Sequence, residues 1–250
     1  MGGQVNTNTT HGQTNFDGST LSVSQANTTA GFSIVTYTGT GSNATVGHGL
    51  NSAPQIVLLK GRSNSGDWQM YNTNLSGTNK TISINTSDAA NTESSPYYSF
   101  NNTAPTSTVF SLGSGNTTNG SSRTFVAYCF AEIQGYSKFG SYTGNGNADG
   151  TFVYLGFKPA WVMVKLSSGS GEDWHMFDSK RSTSNVVKER LIANSAAAEN
   201  ANDSILDFLS NGFKFRENNA GWNGNNNTYI YMAFAEHPFV SSEGVPTTAR

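Results

Sequence analysis

The chain has 250 residues and a net charge of −2, and only 12% of its residues are charged. Ordinary globular chains carry about 25% charged residues, and a chain this weakly charged lacks the basic footprint of a nucleic-acid-binding protein. No apolar run approaches the ~18 residues of a spanning helix, and no signal-peptide core follows Met1, so no membrane insertion is expected. The polarity resides in Asn, Thr, Ser and 27 Gly, a mixture suited to turns and strands rather than helices. Aromatics at 12% argue against disorder. The lone cysteine, Cys129, excludes an intrachain disulfide and a Cys-based zinc site, and its apolar surroundings mark a small core residue.

Residues 1–30 are polar and read as an extended N-terminal arm. Phe16, Leu21 and Val23 are its candidate anchors for assembly. The arm is expected to be mobile in the free chain and to order against a neighbour by strand addition.

Eight strand candidates follow, at 32–38, 44–47, 55–60, 68–71, 81–85, 97–100, 108–112 and 124–133, separated by Gly, Asn, Ser and Pro clusters. Residues 56–59 form a continuous apolar run, and both faces of 124–133 are apolar, so both strands are expected to be central. A second set lies at 137–143, 151–155, 161–166, 174–178, 188–193, 205–209, 213–217 and 228–236. Residues 185–193 and 204–209 also read as short helices, but their counterparts in the first set favour strands. Ser210-Asn211-Gly212 predicts a hairpin with a primed turn. Residues 241–250 form a polar tail.

The two sets are copies. Tyr37 and Tyr142 lie 105 positions apart, as do Pro54 and Pro159, and Lys60 and Lys165. Asp67-Trp68 and Asp173-Trp174 differ by 106, and Phe130-Ala131-Glu132 and Phe234-Ala235-Glu236 by 104. A period near 105 is domain-sized, longer than the ~20–50 residues of solenoid units. The expected fold is therefore all-β, with two tandem homologous β-sandwich, jelly-roll-like domains at 31–134 and 135–240 behind the arm.

The pattern carries little chemistry. Glu132 and Glu236 each end a strand in a separate copy, which suits a solvated or hydrogen-bonded terminus better than a paired-carboxylate hydrolase. The four histidines have no metal-ligand spacing, and no Gly-x-Ser-x-Gly elbow occurs. No cofactor or metal is expected, and no enzyme activity. Gly39-Thr40-Gly41 and Gly144-Asn145-Gly146 read as hairpin turns, not phosphate loops. Trp68 and Trp174 recur and read as plugs at one end of each core. Trp222 lies in a long polar loop, 218–228, and reads as a solvent-facing ring. Trp222, Asn223 and Asn225 are the candidate contact residues. The indole would stack on a sugar while the amides bond its hydroxyls, or it would bury against a neighbouring subunit.

Three stretches carry a family resemblance. They are Gly31-Phe-Ser-Ile-Val-Thr-Tyr-Thr-Gly, the segment 132–154 with Gly135-Tyr-Ser-Lys-Phe-Gly-Ser-Tyr-Thr-Gly-Asn-Gly, and Phe208-Leu-Ser-Asn-Gly-Phe-Lys with Tyr229-Ile-Tyr-Met-Ala-Phe-Ala-Glu. Over 17–239 the chain resembles a module of virion structural proteins common in tailed bacteriophages, notably marine ones, often at the C-terminus of tail fibres. The resemblance implies a non-enzymatic surface protein of the virion, assembled in the host cytoplasm. Its use would be tail-fibre receptor binding or capsid decoration. The implied partners are other virion proteins and further copies of itself, a trimer being favoured, with a host-surface glycan as the alternative. Such modules often follow a long shaft, whereas about thirty residues precede the first copy here.

Overall fold

The computed structural model describes residues 12–95, 98–201 and 203–237. The fold is all-β, built from several antiparallel sheets. The chain divides into two compact units, Met1–Ile84 with Ala90–Ala131, and Asn85–Ala89 with Glu132–Arg250.

In the first unit the strands are β1 (Gln13–Asn15), β2 (Ser22–Asn27), β3 (Phe32–Thr38), β4 (Ala44–Gly47), β5 (Ile56–Gly61), β6 (Gln69–Asn72), β7 (Lys80–Ser83), β8 (Asn91–Thr92) and β9 (Val109–Leu112). One helical turn, α1 (Asn116–Asn119), then leads to β10 (Thr124–Phe130). The larger sheet has the order β1-β2-β3-β10-β5-β6-β7-β8, and the smaller is β4-β9. The larger sheet follows from the alternation of its strands. Val35 and Tyr37 of β3, and Phe125, Ala127 and Cys129 of β10, point into one core. Val46, Phe110 and Leu112 of the smaller sheet meet them there. Strand β10 is hydrogen-bonded on both edges, to β3 and β5, the central place expected of it.

The second unit contains β11 (Ser137–Thr143), β12 (Phe152–Tyr154), β13 (Pro159–Leu166), β14 (Trp174–Asp178), β15 (Leu191–Ile192), β16 (Leu206–Leu209), β17 (Gly212–Phe215) and β18 (Thr228–Ala235). Its sheets are β11-β18-β13-β14-β15 and β12-β17-β16. The order β11-β18-β13-β14-β15 repeats β3-β10-β5-β6-β7, and β12-β17 repeats β4-β9. Its core again draws on both sheets, with Tyr142, Val164, Phe177, Tyr229 and Tyr231 against Val153, Phe213 and Phe215. Each large apolar side chain buried this way contributes about 1.5–3 kcal/mol.

Several sequence expectations need correction. The segment 12–30 does not stand apart as a detached arm. Strands β1 and β2 extend the first sheet at the edge of β3, because Ser22 and Ser24 alternate inward while Val23 and Gln25 alternate outward. Residues 1–11 and the tail 241–250 lie outside the described residues. No strand forms at 98–100, where the Glu93 carboxylate holds Ser99 through its backbone N–H, at 2.7 Å, and its hydroxyl. The span 188–193 is neither a helix nor a full strand, and only Leu191–Ile192 pairs with β14. The β16–β17 hairpin forms, but neither Ser210 nor Asn211 takes a positive φ, so its turn is not primed. Gly212 serves a close approach instead, since a Cβ there would run into the Val153 carbonyl. Trp68 is only half-buried and stacks on Tyr128, whose face of β10 is opposite the core, so it is not a plug. Trp174 is buried, at 2% exposure, but it lies on the face of β14 opposite His175 and outside the main cluster of its unit. The Lys165 ammonium lies 6.0 Å from the Trp174 ring centroid.

Candidate functional site

The Trp222 loop is the place to begin, since it held the sequence candidates. Trp222 and Asn223 are both buried, at 1% and 0% exposure, and only Asn225 is exposed. The solvent-facing reading of the indole is therefore corrected, and the reason lies in Asn223. Its carboxamide oxygen accepts from Asn145 N at 3.1 Å, and its nitrogen donates to Asn147 O at 2.9 Å and to Glu217 O at 2.8 Å. These bonds pull the loop inward and saturate the amide's donors.

The same lock stands in the first unit. Asn119 accepts from Thr40 N at 2.8 Å and donates to Ser42 O at 2.7 Å and Gly113 O at 2.8 Å. In each unit one helical turn delivers the asparagine, through Asn119 N to Gly115 O and Asn223 N to Asn219 O, both 2.8 Å. Its backbone carbonyl accepts from the second glycine of the Gly-x-Gly segment, Gly41 or Gly146. Ser122 and Asn226 take matching positive φ values, 59° and 61°, where the chain turns back toward the first glycine. Gly39 and Gly144 admit no Cβ, because the Gly120 and Gly224 carbonyls press against them. The recurring Tyr-Thr-Gly-x-Gly is thus the receptor of a buried amide. Sequence reasoning missed Asn119 and gave Asn223 an outward contact role instead of this inward one, although the signal was present as Asn-Gly at 119–120 and again at 223–224.

The two locks differ one residue upstream. Tyr37 donates its hydroxyl to Thr118 O at 2.5 Å, and Tyr142 donates to Trp222 O at 2.7 Å. Burial raises both phenols well above their ordinary pKa, so they remain donors. Thr118 bonds Ser99 O, whereas Trp222 fills the second core. The His175 ring stands 5.2 Å from the indole at 89°, and the Arg190 guanidinium carbon lies 5.0 Å from its centroid. Neither ring nitrogen of His175 has a protein partner, nor do Trp222 Nε1 and Arg190 Nε. Burial, reinforced by Arg190, pushes the His175 pKa down to about 4, against the opposing pull of Asp173. His175 is therefore a neutral imidazole at ordinary pH.

A surface concavity lies elsewhere on the second unit. It encloses about 160 Å³ and is lined by Lys158, Ser179, Ser182, Thr183, Ser184, Asn185 and Phe208. Two of these groups are committed to structure. Ser182 Oγ binds the Glu189 carboxylate, and Asn185 bonds both Phe208 N and Phe208 O at 2.9 Å, closing the open edge of β16. Lys158 pairs with Glu236 at 2.7 Å, which helps hold that carboxyl below its ordinary pKa. Ser179 Oγ is buried without a partner, and Thr183 and Ser184 are exposed. The concavity thus presents hydroxyls and one ammonium around an aromatic wall.

The repeated glutamates have diverged. Glu132 accepts from Phe139 N at 3.3 Å and so shields the edge strand β11, whereas Glu236 takes the Lys158 ion pair. Of the proposed anchors, Phe16 is 63% exposed, Leu21 58% and Val23 41%.

Residues 6–238 match the family described as a domain of unknown function, DUF7483, and the chain belongs to that family. Neither the curated proteins nor the solved structures gave a match.

Proposed function

We propose that the chain is a non-enzymatic virion surface protein of a tailed phage, made of two tandem homologous β-sandwiches and carried on the particle as an oligomer. The observation that bears most weight is the recurrence of both strand order and buried asparagine lock. It supports a duplicated display module whose loop ends are fixed by internal bonds. The jelly-roll element is the nested pairing of first strand with last and second with penultimate, β3-β10 with β4-β9 and β11-β18 with β12-β17. The third to fifth strands run on instead as a meander. The resemblance of the quoted motifs supplies the phage context. Electron microscopy of purified particles with a labelled chain tests the reading. Label at tail fibre tips or on the capsid lattice supports it, and particles that carry none of the chain overturn it.

Glycan recognition is the second reading. With Trp222 buried, it moves to the hydroxyl-lined concavity beside Phe208, where sugar hydroxyls would meet Ser179, Thr183 and Ser184. At about 160 Å³ it is smaller than the ~300–1,000 Å³ sites of drug-sized ligands, which suits a single sugar unit. Titration of ¹⁵N-labelled protein with neutral hexoses checks this. Saturable shifts at Ser179 and Thr183 support it, and none at tens of millimolar sugar rejects it.

A further inference from the structure

The exposed large hydrophobic side chains among the described residues are Phe16, Leu21, Val23, Ile34, Phe152 and Tyr154. They form two patches rather than a scatter. On the first unit, Phe16, Leu21, Val23 and Ile34 gather on β1–β3 and the turn between β1 and β2. Val23 and Ile34 fall on the sheet face opposite the core, since Ser22 and Val35 of the same strands are buried. On the second unit, Phe152 and Tyr154 are the two outward residues of β12.

The internal repeat shows what covers such an edge. Val46 pairs with Phe110 in the first unit as Val153 pairs with Phe213 in the second, so Thr45 and Gly47 are the counterparts of Phe152 and Tyr154. The chain's own N-terminal segment lies along that edge of β4. Thr20 bridges Val46 and donates to Thr45 O at 3.0 Å, Ser19 and Thr45 exchange two bonds of 2.9 Å, and Ser22 Oγ donates to Gly47 O at 2.9 Å. In the second unit, among the described residues, no strand pairs with the outer edge of β12. That edge instead presents two aromatic rings, with the Lys138 ammonium 5.5 Å from the Tyr154 centroid.

We infer that β12, with Phe152 and Tyr154, is a docking surface for a second copy of this chain. The second copy engages it through its Phe16–Leu21–Val23–Ile34 patch. The contact is head-to-tail, because the two patches differ, and repeated around an axis it closes a ring or continues as a filament. Both patches suit the role. Each is an exposed apolar cluster on the outward face of its sheet, beside the edge strand β1 in one and on the edge strand β12 in the other, and such uncovered clusters are sites of association. Their charges match, with Lys138 beside one patch and Asp17 next to Phe16 in the other. The inference rests on the oligomer part of the reading above. It is tested on purified protein, so it stands or falls separately from location on a particle.

The experiment is mass measurement by light scattering and sedimentation over a concentration series. The wild-type chain should exceed monomer mass. The double variants Leu21→Lys/Val23→Lys and Phe152→Lys/Tyr154→Lys should each run as monomers with unchanged far-ultraviolet circular dichroism. Mixed one to one, they should give a dimer and nothing larger, because each keeps one intact patch. A wild-type monomer at every concentration overturns the inference. So does an oligomer that survives either double variant, or a mixture that stays monomeric. Loss of sugar binding in Phe152→Lys/Tyr154→Lys without a change of mass would likewise overturn it and assign the rings to a glycan.

Discussion

The two units answer the same structural demand with one residue exchanged. At the position before the buried asparagine the first has Thr118 and the second Trp222. Thr118 satisfies itself with one bond to a neighbouring carbonyl. Trp222 brings a large ring and, with it, a nest of polar atoms that the protein leaves unpaired. The neighbouring position repeats the lesson. Gln69 donates its side-chain amide to Ser83 Oγ at 3.1 Å, whereas neither ring nitrogen of its counterpart His175 has a protein partner. The first unit is thus hydrogen-bonded at this point, and the second holds bulkier rings whose nitrogens have no protein partner. The lock tolerates that divergence because it acts through the asparagine amide and the backbone, not through the residue beside it.

The comparison can be broken most sharply at that residue. Trp222→Ala should cost about 3–5 kcal/mol in chemical denaturation, as a buried ring truncation does, while Thr118→Ala loses one hydrogen bond, about 1 kcal/mol. Equal losses would mean that the indole contributes no core packing. Next come the locks themselves. Asn119→Ala and Asn223→Ala each strand buried carbonyls and should each cost about 3 kcal/mol. A clear inequality would show that only one unit depends on its amide.

The third test uses pH. His175 titrates near 4 in the folded chain and near 6.5 when unfolded. Between those values the unfolded state binds the extra proton, so stability falls on acidification through that window and is intact above it. The loss between pH 7 and pH 5 should be about 2 kcal/mol from this group. His175→Gln, which installs the residue found at the corresponding Gln69, should remove that slope in melts recorded across the range. An unchanged slope would move the acid sensitivity to other groups. The smallest effect concerns the tyrosine hydroxyls. Tyr37→Phe and Tyr142→Phe should each cost about 1 kcal/mol, and a thermal shift confined to one of them would contradict the shared geometry.

Much of the strand order was legible in the chain. The alternation of β3, β11 and β14 marked their boundaries, and the two-faced apolar character of 124–133 and the continuous apolar run 56–59 marked central strands. Those signals are local, because a strand's burial pattern is written at period two along its own length. The 105-residue offset likewise carried the repeated order, since like sequences fold to like elements. What local pattern could not show was pairing across distance. Residues 13–27 read as a polar arm because their serines and threonines look solvated. Only the edges of β3 and β4 reveal that the backbone bonds and buried hydroxyls are taken up there. Trp222 read as exposed because its neighbours are amides. Only the fold shows Asn223 turning inward to bind two segments, 145–147, up to 78 positions away, and the Glu217 carbonyl nearby. A polar side chain is hydrophilic in sequence, but whether it faces water or a set of buried backbone groups depends on which distant carbonyls and amides the tertiary structure brings to it.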